Sequence, residues 1–185
     1  MYVRLIIIWI WKFLDPLFYQ FSRLHYINDQ SVFRVRITKY KGEKFVLSDG
    51  TIIAKNDFLL KIHLHNVQLL SEFLKIKNEL SRARKIYTRV LRSMPLLASY
   101  LMEHPEEEKI KGIIGITTIN KGVKSLGFEC FSPSSRWYRS FKKLGQLPIM
   151  FLSNSSSKSN TLTYLFLSKD ILYKKYGKKL PAINK

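Results

Sequence analysis

The chain reads as a single α+β domain: an antiparallel β-meander, then a long helix, then a smaller strand-helix-strand unit. Three observations predict this. Phe33, Val35 and Ile37 alternate with Arg34, Arg36 and Thr38, the period of a half-buried strand. Leu69, Phe73, Ile76, Leu80, Ala83, Tyr87, Val90 and Met94 recur at steps of four and three, the spacing of one buried helix face. The β-branched run Ile113 to Thr118 is followed by a short helical pattern and a second apolar run, Gly127 to Phe131.

A length of 185 residues suits one domain with a real core, and 46% hydrophobic residues argues against disorder. Lys and Arg number 32 against 13 acids, a formal net charge of +19. Self-repulsion at that level opposes compactness, so the excess points to anionic partners. Anionic lipid, acidic envelope polymers and nucleic acid are the candidate classes. The single cysteine, Cys130, has no internal disulfide partner and sits in a strand-like run as a small hydrophobe.

At the N-terminus the uninterrupted apolar run is only Leu5 to Trp11, too short for a span of about 20 residues. Asp15 and Pro16 follow where a cleavable signal would have small residues, and they suit the N-cap and first position of a short helix carrying Leu17, Phe21 and Leu24. Residues 1–26 are therefore set apart as a hydrophobic helical segment ahead of a domain at 27–185. Two readings of the segment stand side by side. Arg4, Trp9, Trp11 and Lys12 suit a headgroup layer, as in a monotopic anchor, and the same residues suit a hydrophobic helix packed on the domain.

The elements of the domain follow in order. Val32 to Tyr40 is a strand with arginines on its wet face; Lys41-Gly42 turns, and Phe45 to Leu47 returns. Ser48-Asp49-Gly50-Thr51 carries a hairpin signal, Thr51 to Ala54 is a third strand and Phe58 to His65 a fourth. Asn66 is a suitable N-cap for the long helix, whose other face carries Arg82, Lys85, Arg89 and Arg92. Ser93 would cap a further helix with Pro95 in its first turn, ending near His104 and Pro105. Glu106, Glu107 and Glu108 form an acidic island suited to neutralising lysines. Asn120 to Leu126 reads as a helix joining two strands, which implies parallel neighbours. A basic aromatic helix from Pro133, a strand at Pro148 to Leu152 and a serine-rich loop at Ser153 to Asn160 precede the last elements. These are a strand at Tyr164 to Leu167 and a helix capped by Ser168 and running to Tyr176.

The blocks "FRVRITKYKG", "LSDGT", "IHLHN", "GIIGITTINKGVKSLGF" and "LFLSKDILYKKYG" occur in that order, and together they resemble the YkoP-like family of bacilli. The resemblance covers nearly the whole chain. A similar domain is attached to some polysaccharide deacetylases, which implies a cell-envelope context and polysaccharide-processing enzymes as partners. It implies no activity, and the metal ligands of the deacetylases have no match here.

Four motifs bear on chemistry. Asp57 and His63 could form an acid-base pair, although no activated nucleophile accompanies them and Asp57 is also a natural turn former. His63 and His65 share a strand face, as metal ligands must, but two ligands do not make a site; no metal and no cofactor is expected. Asn120, Lys121 and Gly122 follow a strand and open a helix, a setting for an anion, against the plainer reading of an ordinary capped helix. Arg136, with Trp137, Tyr138 and Phe141, mixes cations and aromatics that could stack on sugars or enter a headgroup layer; a packed aromatic face is the plainer reading. The function expected is a non-catalytic accessory protein of envelope polysaccharide metabolism at the cytoplasmic surface of the membrane. A small-ligand binder or hydrolase around Asp57, His63 and Asn120-Lys121 is the alternative, and nucleic-acid binding ranks below both.

Overall fold

A computed structural model describes residues 24–64, 69, 76, 78–117, 122–132 and 163–177. The expected N-terminal helices, the Asn66 cap, the basic helix from Pro133, the strand at Pro148 to Leu152 and the serine-rich loop lie outside these residues.

The strands are β1 (His25–Tyr26), β2 (Phe33–Lys39), β3 (Phe45–Val46), β4 (Ile52–Ile53), β5 (Phe58–Leu64), β6 (Ile110–Thr117), β7 (Glu129–Phe131) and β8 (Thr163–Ser168). The helices are α1 (Glu79–Met102) and α2 (Lys169–Tyr176), with 3-10 turns at Glu107–Lys109 and Lys124–Leu126. Six strands form one mixed sheet in the order β1-β2-β5-β6-β8-β7, and β3 and β4 form a sheet of their own. The chain is thus a single α+β domain that opens with an antiparallel meander.

The meander has a nested form. β2 pairs antiparallel with β5 along its full length, from Phe33 opposite Leu64 to Lys39 opposite Phe58. The β3–β4 hairpin is an insertion between them, closed where Tyr40 N–H donates to Asp57 O at 2.8 Å and Asn56 N–H to Tyr40 O at 2.7 Å. Its turn uses Asp49 and Gly50: Gly50 takes φ +86°, a value that costs glycine little, and the Asp49 carboxylate accepts from Thr51 N–H at 3.0 Å.

The crossover is different from the expected one. β5 and β6 are the parallel neighbours, and α1 connects them. The second unit, β6 to β7, does not place its strands side by side. Both pair antiparallel with β8, which inserts between them, so β6 and β7 run the same way without touching. Within the helix expected at Asn120 to Leu126, the described residues from Gly122 onward form a 3-10 turn, Lys124–Leu126, ended by Gly127 at φ +96°. β8 wins the position because Leu165, Phe166 and Leu167 bury on both faces of the sheet.

α1 also departs from expectation. It starts at Glu79, where the Asn78 carboxamide oxygen accepts from Ser81 N–H at 3.0 Å, and it runs through Ser93 and Pro95 without a break. The expected boundary at Ser93 is therefore absent, and Asn78 is the cap of the described helix. A proline in a helix interior costs about 3 kcal/mol. Here Met94, Leu97, Ala98 and Leu101 are fully buried around it, and full burial of each large apolar side chain contributes about 1.5–3 kcal/mol. Packing wins. Ser93 is no cap: its hydroxyl donates to Arg89 O and accepts from Val32 N–H, both at 3.0 Å, which ties α1 to the start of β2. The apolar stripe is interrupted rather than continuous: Leu69 and Met94 at its ends are buried. Leu80 is 70% exposed and Ala83 is exposed, whereas Arg82 is buried.

One face of the sheet carries both helices. Phe33, Val35, Leu60, Ile62, Ile113, Leu165 and Leu167 pack there against the α1 residues and against Leu172 and Tyr176 of α2. Gly112 is required by close approach, since a Cβ there would stand 2.6 Å from the Leu167 carbonyl oxygen. Ser168 caps α2 as the sequence predicts, its Oγ accepting from Ile171 N–H at 3.1 Å. The acidic island also behaves as expected: Glu106 pairs with Lys109 at 3.2 Å and Glu107 with Lys169 at 3.1 Å.

Candidate functional site

The opposite face of the sheet divides into two halves, and the division follows from register. On the β6–β8–β7 side, Ile114 and Phe166 stand in one cross-strand row, and Phe131 lies beside Tyr164. The inserted hairpin folds over this half and seals it with Tyr40, Phe45, Leu47 and Ile53. The aromatic rings meet at centroid distances of 4.5 Å for Phe45–Phe131 and 5.5 Å for Tyr40–Phe166. Spacings of this kind add about 0.5–1.5 kcal/mol per pair beyond burial.

On the β1–β2–β5 side the rows are cationic. Tyr26 lies opposite Arg34 and Arg34 opposite His63, while Arg36 lies opposite Lys61. Directly opposed residues project from the same face, and so do residues two apart on a strand. Arg34, Arg36, Lys61 and His63 therefore form one patch, with neighbours about 4.8 Å apart across strands and about 6.6 Å along them. The arginines are also less wet than the sequence predicts: Arg34 is only 4% exposed and Arg36 is half-buried. Arg34 and Arg36 therefore do not line the wet face that the alternation predicts. Tyr26 supports Arg34 twice, its hydroxyl accepting from a terminal guanidinium nitrogen and its ring lying 4.7 Å from the guanidinium carbon.

The expected acid-base pair does not assemble. Asp57 and His63 stand at opposite ends of β5, about 20 Å apart at the rise of a strand. Asp57 holds the turn before β5, accepting from Ala54 N–H at 2.7 Å and pairing with Lys111 at 3.0 Å. His63 belongs instead to the cationic patch. His65 lies outside the described residues, and among those residues no three His, Cys, Asp or Glu side chains are grouped to hold a metal.

Gly122 has φ +81° and abuts the ring of Tyr87, whose hydroxyl bonds Ser125 Oγ at 2.9 Å. Asn120, Lys121 and Arg136, like Arg4, Trp9, Trp11 and Lys12, lie outside the described residues. No described helix is long and apolar enough to cross a membrane.

Asp49, Glu107 and Glu129 have structural roles. Burial works against ionisation of Asp49, but hydrogen bonds from Ser168 Oγ and from Thr51 outweigh it and hold the carboxyl below its ordinary value. The Tyr173 hydroxyl donates to Glu107 at 2.8 Å and Lys169 adds its charge, which together lower the Glu107 carboxyl. Glu129 accepts from Ser48 N–H and Oγ at 2.9 and 2.8 Å. Burial pushes the Cys130 thiol up, so it carries little thiolate at neutral pH.

The patch was missed in the sequence because its members come from two strands whose pairing no local pattern states. The signal was present in part: "RVR" in one strand and "KIH" in the other each place basic residues two apart.

The profile of the YkoP domain matches residues 4–176. A curated relative from Bacillus subtilis (strain 168), "Uncharacterized protein YkoP", is 51% identical over 175 residues, 92% of this chain and 96% of its own length. No solved structure matches significantly. Profile and relative agree over nearly the whole chain, and this protein belongs to the YkoP family.

Proposed function

We propose that this YkoP-family chain is a non-catalytic accessory protein of cell-envelope polysaccharide metabolism, working at the cytoplasmic surface of the membrane. The observation that carries the surface reading is the charge of α1. Along its length Arg82, Arg84, Lys85, Arg89 and Arg92 meet a single acid, Glu79, and Arg84, Lys85 and Arg92 are exposed. Each basic residue near an anionic leaflet contributes about 1 kcal/mol of attraction, screened by salt. In this reading Arg4, Trp9, Trp11 and Lys12 also meet the headgroup layer. The envelope context and polysaccharide-processing enzymes as partners rest on what the family resemblance implies. An acidic envelope polymer would use the same exposed cations.

Vesicle flotation tests the proposal. The full chain is expected to float with anionic vesicles at low salt and to be released as salt rises, with neutral vesicles capturing less. Replacing Lys85 and Arg92 by Gln together should weaken flotation about thirtyfold at low salt, in line with two basic contacts. Equal flotation on neutral and anionic vesicles, or none on either, would remove the membrane reading. Tight salt-dependent capture by RNA or DNA in its place would favour nucleic acid.

A further inference from the structure

We infer that α1 docks on an anionic bilayer with its N-terminal half deepest. Leu80 and Leu91 enter the boundary between headgroups and acyl chains, and Arg84, Lys85 and Arg92 meet the lipid phosphates. The inference rests on the membrane reading above and adds to it an apolar contact, a helix face and a tilt. Six large hydrophobic side chains are exposed among the described residues, and α1 supplies three of them: Leu80 at 70%, Leu91 at 38% and Met102 at 43%. They are eleven residues apart, close to three turns of about 3.6 residues, so they fall on one line of the helix. Leu80 and Leu91 are about 16 Å apart along the axis. Arg84 stands on the same line between them, four residues after Leu80. Lys85 and Arg92, about two turns apart, form a second line about 100° round the axis. All three cations are exposed. The ion pairs among the described residues use Lys109, Lys111 and Lys169 and leave these three to solvent.

A line of exposed leucines beside a line of cations fits a bilayer better than a dissolved polyanion. At a bilayer the leucines leave water, while the long stems of Arg and Lys follow them inward and keep their charges at headgroup level. The opposite face of α1 is fixed on the sheet by Met94, Leu97, Ala98 and Leu101, so the exposed lines point away from the core. The tilt follows from charge. From Leu80 to Arg92 the helix carries no acid, whereas exposed Glu103 follows its last turn and exposed Glu108 lies just beyond. An anionic leaflet attracts the first part and repels the last. Met102, at the repelled end, leans on α2 instead: a Cβ placed on Gly177 would stand 2.6 Å from its Cε.

Depth-sensitive fluorescence tests the geometry. Full chains carrying C130A and one new cysteine, L80C, L91C or M102C, are labelled with an NBD fluorophore. They are mixed at low salt with vesicles of phosphatidylcholine and phosphatidylglycerol. Emission from position 80 is expected to shift furthest to the blue, that from 91 less, and that from 102 to stay as in buffer. In parallel, unlabelled L80S/L91S should float at least tenfold more weakly than the natural chain and keep the same salt dependence, because it loses apolar contact and no charge. Circular dichroism shows whether that variant is folded. If it is not, L80S alone carries the test, at the most exposed of these positions, with at least a threefold loss expected. Flotation of the natural chain with no shift at 80 and 91, with the largest shift at 102, or with L80S/L91S floating equally well overturns the inference and leaves the membrane reading standing. A natural chain that floats on no vesicle removes both. Capture by RNA that K85Q/R92Q weakens and L80S/L91S does not, without any NBD shift on vesicles, assigns the cations to nucleic acid and also overturns it.

Discussion

The two faces of the central sheet are made from the same strands and have opposite characters. On the helix face, Val35, Leu60, Ile113 and Leu167 come from adjacent strands and are buried together under α1 and α2. On the other face the same strands contribute Arg34, Lys61, Ile114 and Phe166, which run from cationic to aromatic across the sheet. The helix face is a core in the ordinary sense, held by area removed from water. Its opposite is a core on one side only, where the hairpin seals the aromatic half. The other half sets Arg34 opposite His63 and Arg36 opposite Lys61, in two polar rows on β2 and β5.

The sharpest way to break this contrast is in the helix core. Leu97→Ala should cost about 2–5 kcal/mol, because the side chain is fully buried and the rigid sheet cannot collapse into the space. Urea unfolding followed by circular dichroism measures it, and a loss below about 1 kcal/mol would show that α1 is not packed as a core helix.

A smaller effect is expected where the end of the sheet meets α2. Ser168→Ala removes the α2 cap, worth about 1 kcal/mol, and one of the hydrogen bonds that favour ionised Asp49. Asp49 and Glu107 have folded-state pKa values below their ordinary ones. Their ionised forms thus add stability above the ordinary carboxylate range, and it is lost as pH falls through the lowered values. Melting temperatures recorded from neutral pH downwards should show a shallower acid decline for S168A, and for Y173F, than for the natural chain. Parallel curves would detach these hydrogen bonds from the acid limb.

The smallest change belongs to the cationic half. Lys61→Met removes one of two opposed cations at a half-buried position of β5 and should change stability by no more than about 0.5 kcal/mol. Thermal denaturation at low salt reads it. A loss comparable with that of L97A would mean that Lys61 is a structural member of the fold.

Features decided by neighbouring residues were legible from the start. The Asp49-Gly50 turn, the β2 and β5 strands, the β8 strand and the Ser168 cap each depend on a few adjacent side chains and on backbone groups within hydrogen-bond reach. Asp57 could be read as a turn residue for the same reason. Less was legible at the candidate site. "RVR" and "KIH" each announce a basic strand face, but that they oppose each other, and that Arg34 is buried, depends on which strands β2 acquires on either side.

The sequence by itself determined the α+β class, the strand and helix inventory of the described parts, the excess of positive charge and the YkoP-like blocks, because composition, periodicity and caps act over a few residues. Only the tertiary structure decided that β8 enters between β6 and β7, that α1 passes through Pro95, and that Asp57 and His63 are separated while His63 joins Arg34, Arg36 and Lys61. Those outcomes are set by burial summed over elements distant in sequence, and a few buried side chains there outweigh a proline or a local helix signal.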